Sequence, residues 1–289
     1  MPDEPGDYAS ANGIRLWYRD EGDPEGEPLL LIMGLNSQLV LWPEEVVQAL
    51  GERGYRVVRF DNRDCGRSDK IAATTPPGGV AYHLVDLAAD TVGLLDHLGL
   101  SRVHLVGASM GGMIAQLIAI HHPERAATLC SIMSTTGNPG VGGPTAEAVA
   151  VVTRPTPADR EEAIDHITEV YRVIGSRTHA EAEHPRRRQF AADSFDRGLH
   201  PRGAERQFTA VLRAVDRTPR LRRLDLPTAV VHGVEDSLIN VSGGRATHDA
   251  VPGSTYLELP DMGHDLPQVL LPRLIDTIDA NARTRSTVG

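Results

Sequence analysis

Three residues have the types and the order that acyl transfer needs. Ser109 stands in Gly107-Ala108-Ser109-Met110-Gly111-Gly112, Asp236 in Gly233-Val234-Glu235-Asp236, and His264 in Asp261-Met262-Gly263-His264. A serine hydroxyl is a weak nucleophile until a base takes its proton. An imidazole serves as that base when a carboxylate holds its tautomer. Ser109 lies between Val103-His104-Leu105-Val106 and apolar positions at 113, 114, 117, 118 and 120. The pattern predicts strand, sharp turn and helix, with the serine at the apex. So tight a turn leaves no room for Cβ atoms two residues from the apex, and Gly107 and Gly111 meet that need. The helix N-terminus that follows favours negative charge at the hydroxyl. The alternative is a glycine-rich turn carrying an ordinary serine, and only partners elsewhere in the chain decide between the two.

Those partners must sit on loops at the carboxyl ends of neighbouring strands, where the apex points. Thr228 to Gly233 and Ser254 to Leu259 read as buried strands, and the acid and the histidine follow them directly. One helix, about 242–250, fits between, so the two loops should be neighbours. Glu235 competes with Asp236 for the role of the acid. Asp261 and Asp265 flank the histidine and read as solvated. His232 reads as structural, and His104, His121 and His122 as satisfied or exposed.

Upstream, Ala11-Asn12-Gly13 is a hairpin turn signal between two short strand patterns. Pro28 to Met33 and Tyr55 to Phe60 are buried strands, and helices are expected over 44–53 and 84–98. Thr74 to Gly79 reads as loop. Ala127 to Met133 is a further strand. Strands alternating with helices predict a mainly parallel sheet covered on both faces. From Gly137 to about Arg217 no strand pattern occurs. Helical stretches rich in Arg, Glu and Ala are expected at about 144–152, 158–174, 180–196 and 203–215. The expectation is an α/β core built from 1–136 and 218–289, with a helical lid over 137–217. The Arg186-Arg187-Arg188 run reads as a solvated face of that lid. A last helix is expected over 267–281, followed by a polar tail.

Composition narrows the partners. A net charge of −10 disfavours nucleic acid and anionic membranes. No run approaches the eighteen or so apolar residues of a membrane span, and the acidic N-terminus has no secretory pattern. A cytoplasmic location is therefore expected. The two cysteines, Cys65 and Cys130, read as free thiols with no metal-ligand spacing. Lys70 is the only lysine.

From Tyr8 to about residue 281 the chain resembles the α/β-hydrolase superfamily. The loop after the third strand, the Asp-x-Arg-x-x-Gly-x-Ser segment at 61–68, the turn at 107–112 and Gly263-His264 carry the likeness. More narrowly, Met33-Gly34-Leu35-Asn36, Trp42-Pro43-Glu44-Glu45 and Arg59 to Asp64 resemble the aclacinomycin methylesterase-like esterases. The resemblance implies an α/β-hydrolase fold with Ser109 as nucleophile, Asp236 rather than Glu235 as acid, and His264 as base. It implies an oxyanion hole made by the backbone N–H groups of Met110 and Leu35, with no cofactor and no metal. A small-molecule ester or lactone is the expected substrate. Carbon–carbon bond hydrolysis, cofactor-free perhydrolysis and a ligand receptor keeping the same triad are the other readings. Asn36 and Trp42 are candidates to line the substrate pocket. Most of the superfamily carries His-Gly where this chain has Met33-Gly34. What that histidine does to order the loop must then come from elsewhere.

Overall fold

The computed structural model describes residues 4–72 and 79–284. The chain opens with β1 (Asp7–Ala11) and β2 (Ile14–Gly22), an antiparallel hairpin turned by Asn12 and Gly13, both at positive φ. There follow β3 (Glu27–Ile32), α1 (Glu44–Glu52), β4 (Tyr55–Phe60), α2 (Leu84–His97), β5 (Val103–Ala108), α3 (Met110–His121) and β6 (Ala126–Ile132). Four helices come next: α4 (Ala146–Val152), α5 (Arg160–Ile174), α6 (Ala180–Arg197) and α7 (Pro201–Leu212). A short α8 (Thr218–Leu221) leads back to β7 (Thr228–Gly233), α9 (Ser242–Ala250), β8 (Thr255–Leu259) and α10 (Leu271–Arg283).

One sheet holds all eight strands in the order β1-β2-β4-β3-β5-β6-β7-β8. From β4 across to β8 every pairing is parallel; only the β1 and β2 pairings are antiparallel. The period of two in the strands sorts their side chains between two apolar layers. Leu30, Ile32, Val58 and Phe60 face the layer that includes Leu87 of α2 and Ile114 of α3. Leu29, Leu31 and Val57 face the layer that includes Val46 of α1 and Ile275 of α10. A strand buried on both faces reads as a continuous aliphatic run, which is why these strands stand out in the sequence.

The segment from 137 to 217, inserted in sequence between β6 and β7, contains no strand. Its helices start and stop within a few residues of the predicted bounds. The last helix runs two residues past its predicted end. Of the expected loop over 74–79, only Gly79 lies within the described residues. No described helix is long and apolar enough to cross a membrane.

Candidate active site

Ser109 sits between β5 and α3 with φ 57° and ψ −121°, a backbone conformation that L-residues rarely adopt and that costs roughly 1–3 kcal/mol. The flanking glycines explain how the turn closes. A Cβ on Gly107 would lie 2.2 Å from the Gly111 carbonyl oxygen, and one on Gly111 would lie 2.0 Å from that of Ile32. Backbone cannot yield there, so only glycine fits. Ser109 N–H donates to the Ile132 carbonyl across to β6 (2.9 Å), and the Ser134 hydroxyl donates to the Ser109 carbonyl (2.8 Å).

The two expected partners arrive on the loops after β7 and β8. His264 Nε2 is 2.9 Å from Ser109 Oγ, and its Nδ1 is 2.7 Å from Asp236 Oδ2. The other carboxylate oxygen, Oδ1, accepts from the N–H groups of Leu238 (2.9 Å) and Ile239 (2.8 Å). Burial, which works against the charge on Asp236, is overcome by the His264 and His232 rings, and its pKa lies below the ordinary carboxylate value. At neutral pH Asp236 is therefore an acceptor. Nδ1 of His264 must carry the proton, which leaves the Nε2 lone pair facing the serine hydroxyl.

His232, fully buried at the end of β7, is structural as expected but also touches the acid. Its Nε2 lies 2.8 Å from the Ile239 carbonyl and 3.3 Å from Asp236 Oδ2. Because the carbonyl can only accept, that nitrogen bears the hydrogen and points it toward the carboxylate as well. Glu235, the competitor for the acid position, faces away. It accepts from the N–H groups of Arg177 (2.6 Å) and Thr178 (3.0 Å) and from the Thr178 hydroxyl (2.8 Å).

Two expectations about solvated charges need correcting. Asp265, largely shielded from solvent, accepts from Ser176 N–H (2.9 Å), the Ser176 hydroxyl (2.6 Å) and the buried Arg187 (2.8 Å). Arg187 is thus the inward residue of its run, while Arg188 remains on the surface with Asp165 and Glu161. Asp261 pairs with His179 (2.9 Å). Through Ser176 the insertion also reaches the histidine loop. His264 N–H donates to the Ile174 carbonyl (2.8 Å) and Gly263 N–H to Ser176 Oγ (2.8 Å). A Cβ on Gly263 would lie 2.2 Å from the backbone of Gly175.

The loop after β3 packs directly against the serine. A Cβ on Gly34 would lie 3.0 Å from Ser109 Cβ and 3.4 Å from its Oγ. Neither Leu35 N–H nor Met110 N–H has an acceptor among the described residues. The loop is held by Asn62 Nδ2, which donates to the Met33 carbonyl (3.0 Å), and by Gln207 of α7, whose Oε1 accepts from Asn36 N–H (2.7 Å). Asn36 is exposed beside the site, at φ 55°. Trp42, the other expected pocket residue, is instead fully enclosed in the apolar layer with Val46 and Leu50 and offers no surface to a ligand. It is large, and an aromatic next to a functional loop is as readily core as lining.

The loop after β4 carries a second polar system. Arg197 of α6, fully buried, pairs with Asp61 (3.0 Å) and Glu4 (2.9 Å) and hydrogen bonds to Gln38. Arg206 of α7 pairs with Asp64 (2.6 Å). The segment 61–69 therefore belongs to a polar network that extends into the insertion. Spacing within the chain could not have revealed Gln207, Ser176 or Arg197, because each meets its partner across more than eighty residues of sequence. Among the described residues no group of three or more His, Cys, Asp or Glu side chains is placed to hold a metal ion. Both cysteines are buried and free, and burial pushes the Cys130 thiol up to about 12 and the Cys65 thiol higher still.

The family model described as the alpha/beta hydrolase fold matches residues 27–267. Rhodomycin D methylesterase of Streptomyces peucetius is 30% identical over 295 residues, which cover 93% of this chain and 95% of that protein. A 3-oxoadipate enol-lactonase of Acinetobacter baylyi is 26% identical, with 89% of each chain covered. The crystal structure of the enol-lactonase from Burkholderia xenovorans superposes with a TM-score of 0.77 at 26% identity, covering 95% of this chain and 99% of that one.

Proposed function

The chain belongs to the α/β-hydrolase family, and from that premise we propose that it is a serine hydrolase cleaving a carboxylic ester or lactone of a small molecule. The observation that carries the reading is the unbroken chain from Ser109 Oγ through His264 to Asp236. Ser109 attacks the carbonyl carbon while His264 Nε2 takes the hydroxyl proton. Asp236 stabilises the imidazolium that results, without itself taking a proton. The tetrahedral oxyanion is held by the N–H groups of Leu35 and Met110, each contributing about 3–4 kcal/mol at the transition state. Collapse expels the alkoxide, which receives its proton from His264. Water, deprotonated by the same ring, then attacks the acyl-enzyme, and the acid leaves as Ser109 is regenerated.

Both the methylesterase and the enol-lactonase act, by their names, on an oxygen ester of a carboxylic acid. Their likeness along the whole chain favours that bond here. The test is turnover of a p-nitrophenyl acyl ester together with fluorophosphonate labelling. We expect Ser109→Ala to lower kcat by about 10⁴-fold or more and to abolish labelling. An alanine variant with undiminished turnover would refute the mechanism.

A further inference from the structure

The missing histidine of the oxyanion loop leaves a question of position. Gly34 permits the Gly34–Leu35 peptide to rotate, and the Leu35 N–H is useful only in one orientation. The peptide's own carbonyl, that of Gly34, accepts only one long bond, from Ser37 N–H (3.3 Å), so the neighbouring peptides add to its hold. On one side, the Met33 carbonyl is fixed by Asn62 (3.0 Å). On the other, the Leu35–Asn36 peptide is gripped at both ends. Its carbonyl accepts from the Ser37 hydroxyl (3.1 Å), and its N–H donates to Gln207 Oε1 (2.7 Å). Gln207 is wholly buried, and its Nε2 donates to the Arg63 carbonyl (2.7 Å), so the amide has one orientation and ties two core loops together.

The same face of α7 explains how Gln207 is held. Gly203, Arg206 and Gln207 share that face. Gly203 lies against the Asp64 backbone so closely that a Cβ would be 2.3 Å from its carbonyl oxygen, and Arg206 pairs with the Asp64 carboxylate (2.6 Å).

We infer that Gln207, a residue of the insertion, is the positioning residue that orients the Leu35 N–H for the oxyanion. The inference rests on the serine-hydrolase reading above. It makes transition-state stabilisation depend on the seating of α7, although α7 carries no reacting group.

The experiment is steady-state hydrolysis of p-nitrophenyl butyrate by the full chain carrying Gln207→Met, which keeps the volume and removes both hydrogen bonds. Removal of a whole oxyanion donor costs about 10²–10³-fold, so a misaligned one should lower kcat about 10- to 100-fold. KM should stay within about threefold, because the substrate carbonyl makes its strongest contact with the hole only as charge develops. Gln207→Glu retains an acceptor for Asn36 N–H and should recover a clear part of the loss. Arg160→Ala, which breaks the exposed Arg160–Asp196 pair elsewhere in the insertion, should leave kcat unchanged. Where the methionine variant does not fold, Gln207→Ala gives water room to satisfy the freed groups, and the same kcat loss is expected. A folded Gln207 variant with kcat within about threefold of the parent overturns the inference. So does a loss confined to KM, or an equal loss in the methionine and glutamate variants. If Ser109→Ala is inactive while Gln207→Met is unaffected, only the inference falls; if Ser109→Ala is fully active, the underlying reading falls.

Discussion

The sheet core and the insertion are held together by different physics. The core has two continuous apolar layers, one on each face of eight strands. The insertion's own buried apolar cluster is Ala148, Val151 and Ile174. Ordering a backbone costs about 1–2 kcal/mol per residue, and these three side chains, with the buried Ala163, Ile164, Ala191 and Ala210, offset only a small part of that over 137–217. The insertion is therefore ordered by what it docks against. Its attachments are buried or half-buried ion pairs and side-chain bonds to loops: Arg197 to Asp61 and Glu4, Arg206 to Asp64, Arg187 to Asp265, Thr178 to Glu235. Such contacts are weak in net stability but exacting in geometry. The core supplies free energy, and the insertion supplies placement to the loops after β3, β4, β7 and β8.

The sharpest way to break this contrast is to strike the chemistry without the scaffold. Asp236→Asn should lower kcat about 10⁴-fold by presenting the wrong tautomer of His264, with the fold retained by circular dichroism. A loss below tenfold would mean that the carboxylate does not set the ring. Next in size is the reverse experiment on the scaffold. Arg197→Met strands the buried Asp61 carboxylate and should cost about 3–5 kcal/mol in urea unfolding. A neutral result would show that docking does not depend on this pair.

Acid should separate the two regions more gently. Burial opposes the charges on Asp64 and Glu4, but the Arg206 and Arg197 guanidinium groups outweigh it, holding both pKa values below the ordinary 3.8 and 4.5. A carboxylate depressed in this way adds stability that is complete above its unfolded value and lost as pH falls through its folded one. Proteolysis within 137–217 should therefore rise below about pH 4 in the parent. The rise should be smaller in Asp64→Asn, which has already lost that contribution. The smallest effect belongs to Arg160→Ala: its ion pairs are solvent-screened, and Tm should not move measurably.

The same contrast governs what could be read from the chain beforehand. Tyr55–Phe60 and Thr228–Gly233 were delimited to the residue, because a doubly buried strand announces itself by composition. The loops that carry Ser109, Asp236 and His264 were legible because strand ends and glycine spacing locate them, while the choice between Glu235 and Asp236 leaned on the family resemblance as well. The helices of the insertion were legible as helices, yet their polar attachments were not. Arg187 and Asp265 look like ordinary surface charges, since residue type predicts exposure and only a partner 78 residues away reverses it. Trp42 failed the opposite way: its size suited a pocket and the core took it. Gln207 carried no local signal, for a lone glutamine on a helix is informative only once its neighbour across the fold is known.

The contacts between Gly263 and the Gly175–Ser176 backbone limit how such a chain can diversify. Positions 137 and 217 look like natural exchange points for swapping one insertion for another between relatives. An exchange there would part Ser176 and Ile174 from the histidine loop, and Gln207 from Asn36. The heritable unit is not the stretch between the seams but that stretch together with 33–38, 61–64, 233–237 and 261–265. New specificities should therefore accumulate by point substitution within the insertion more readily than by wholesale recombination.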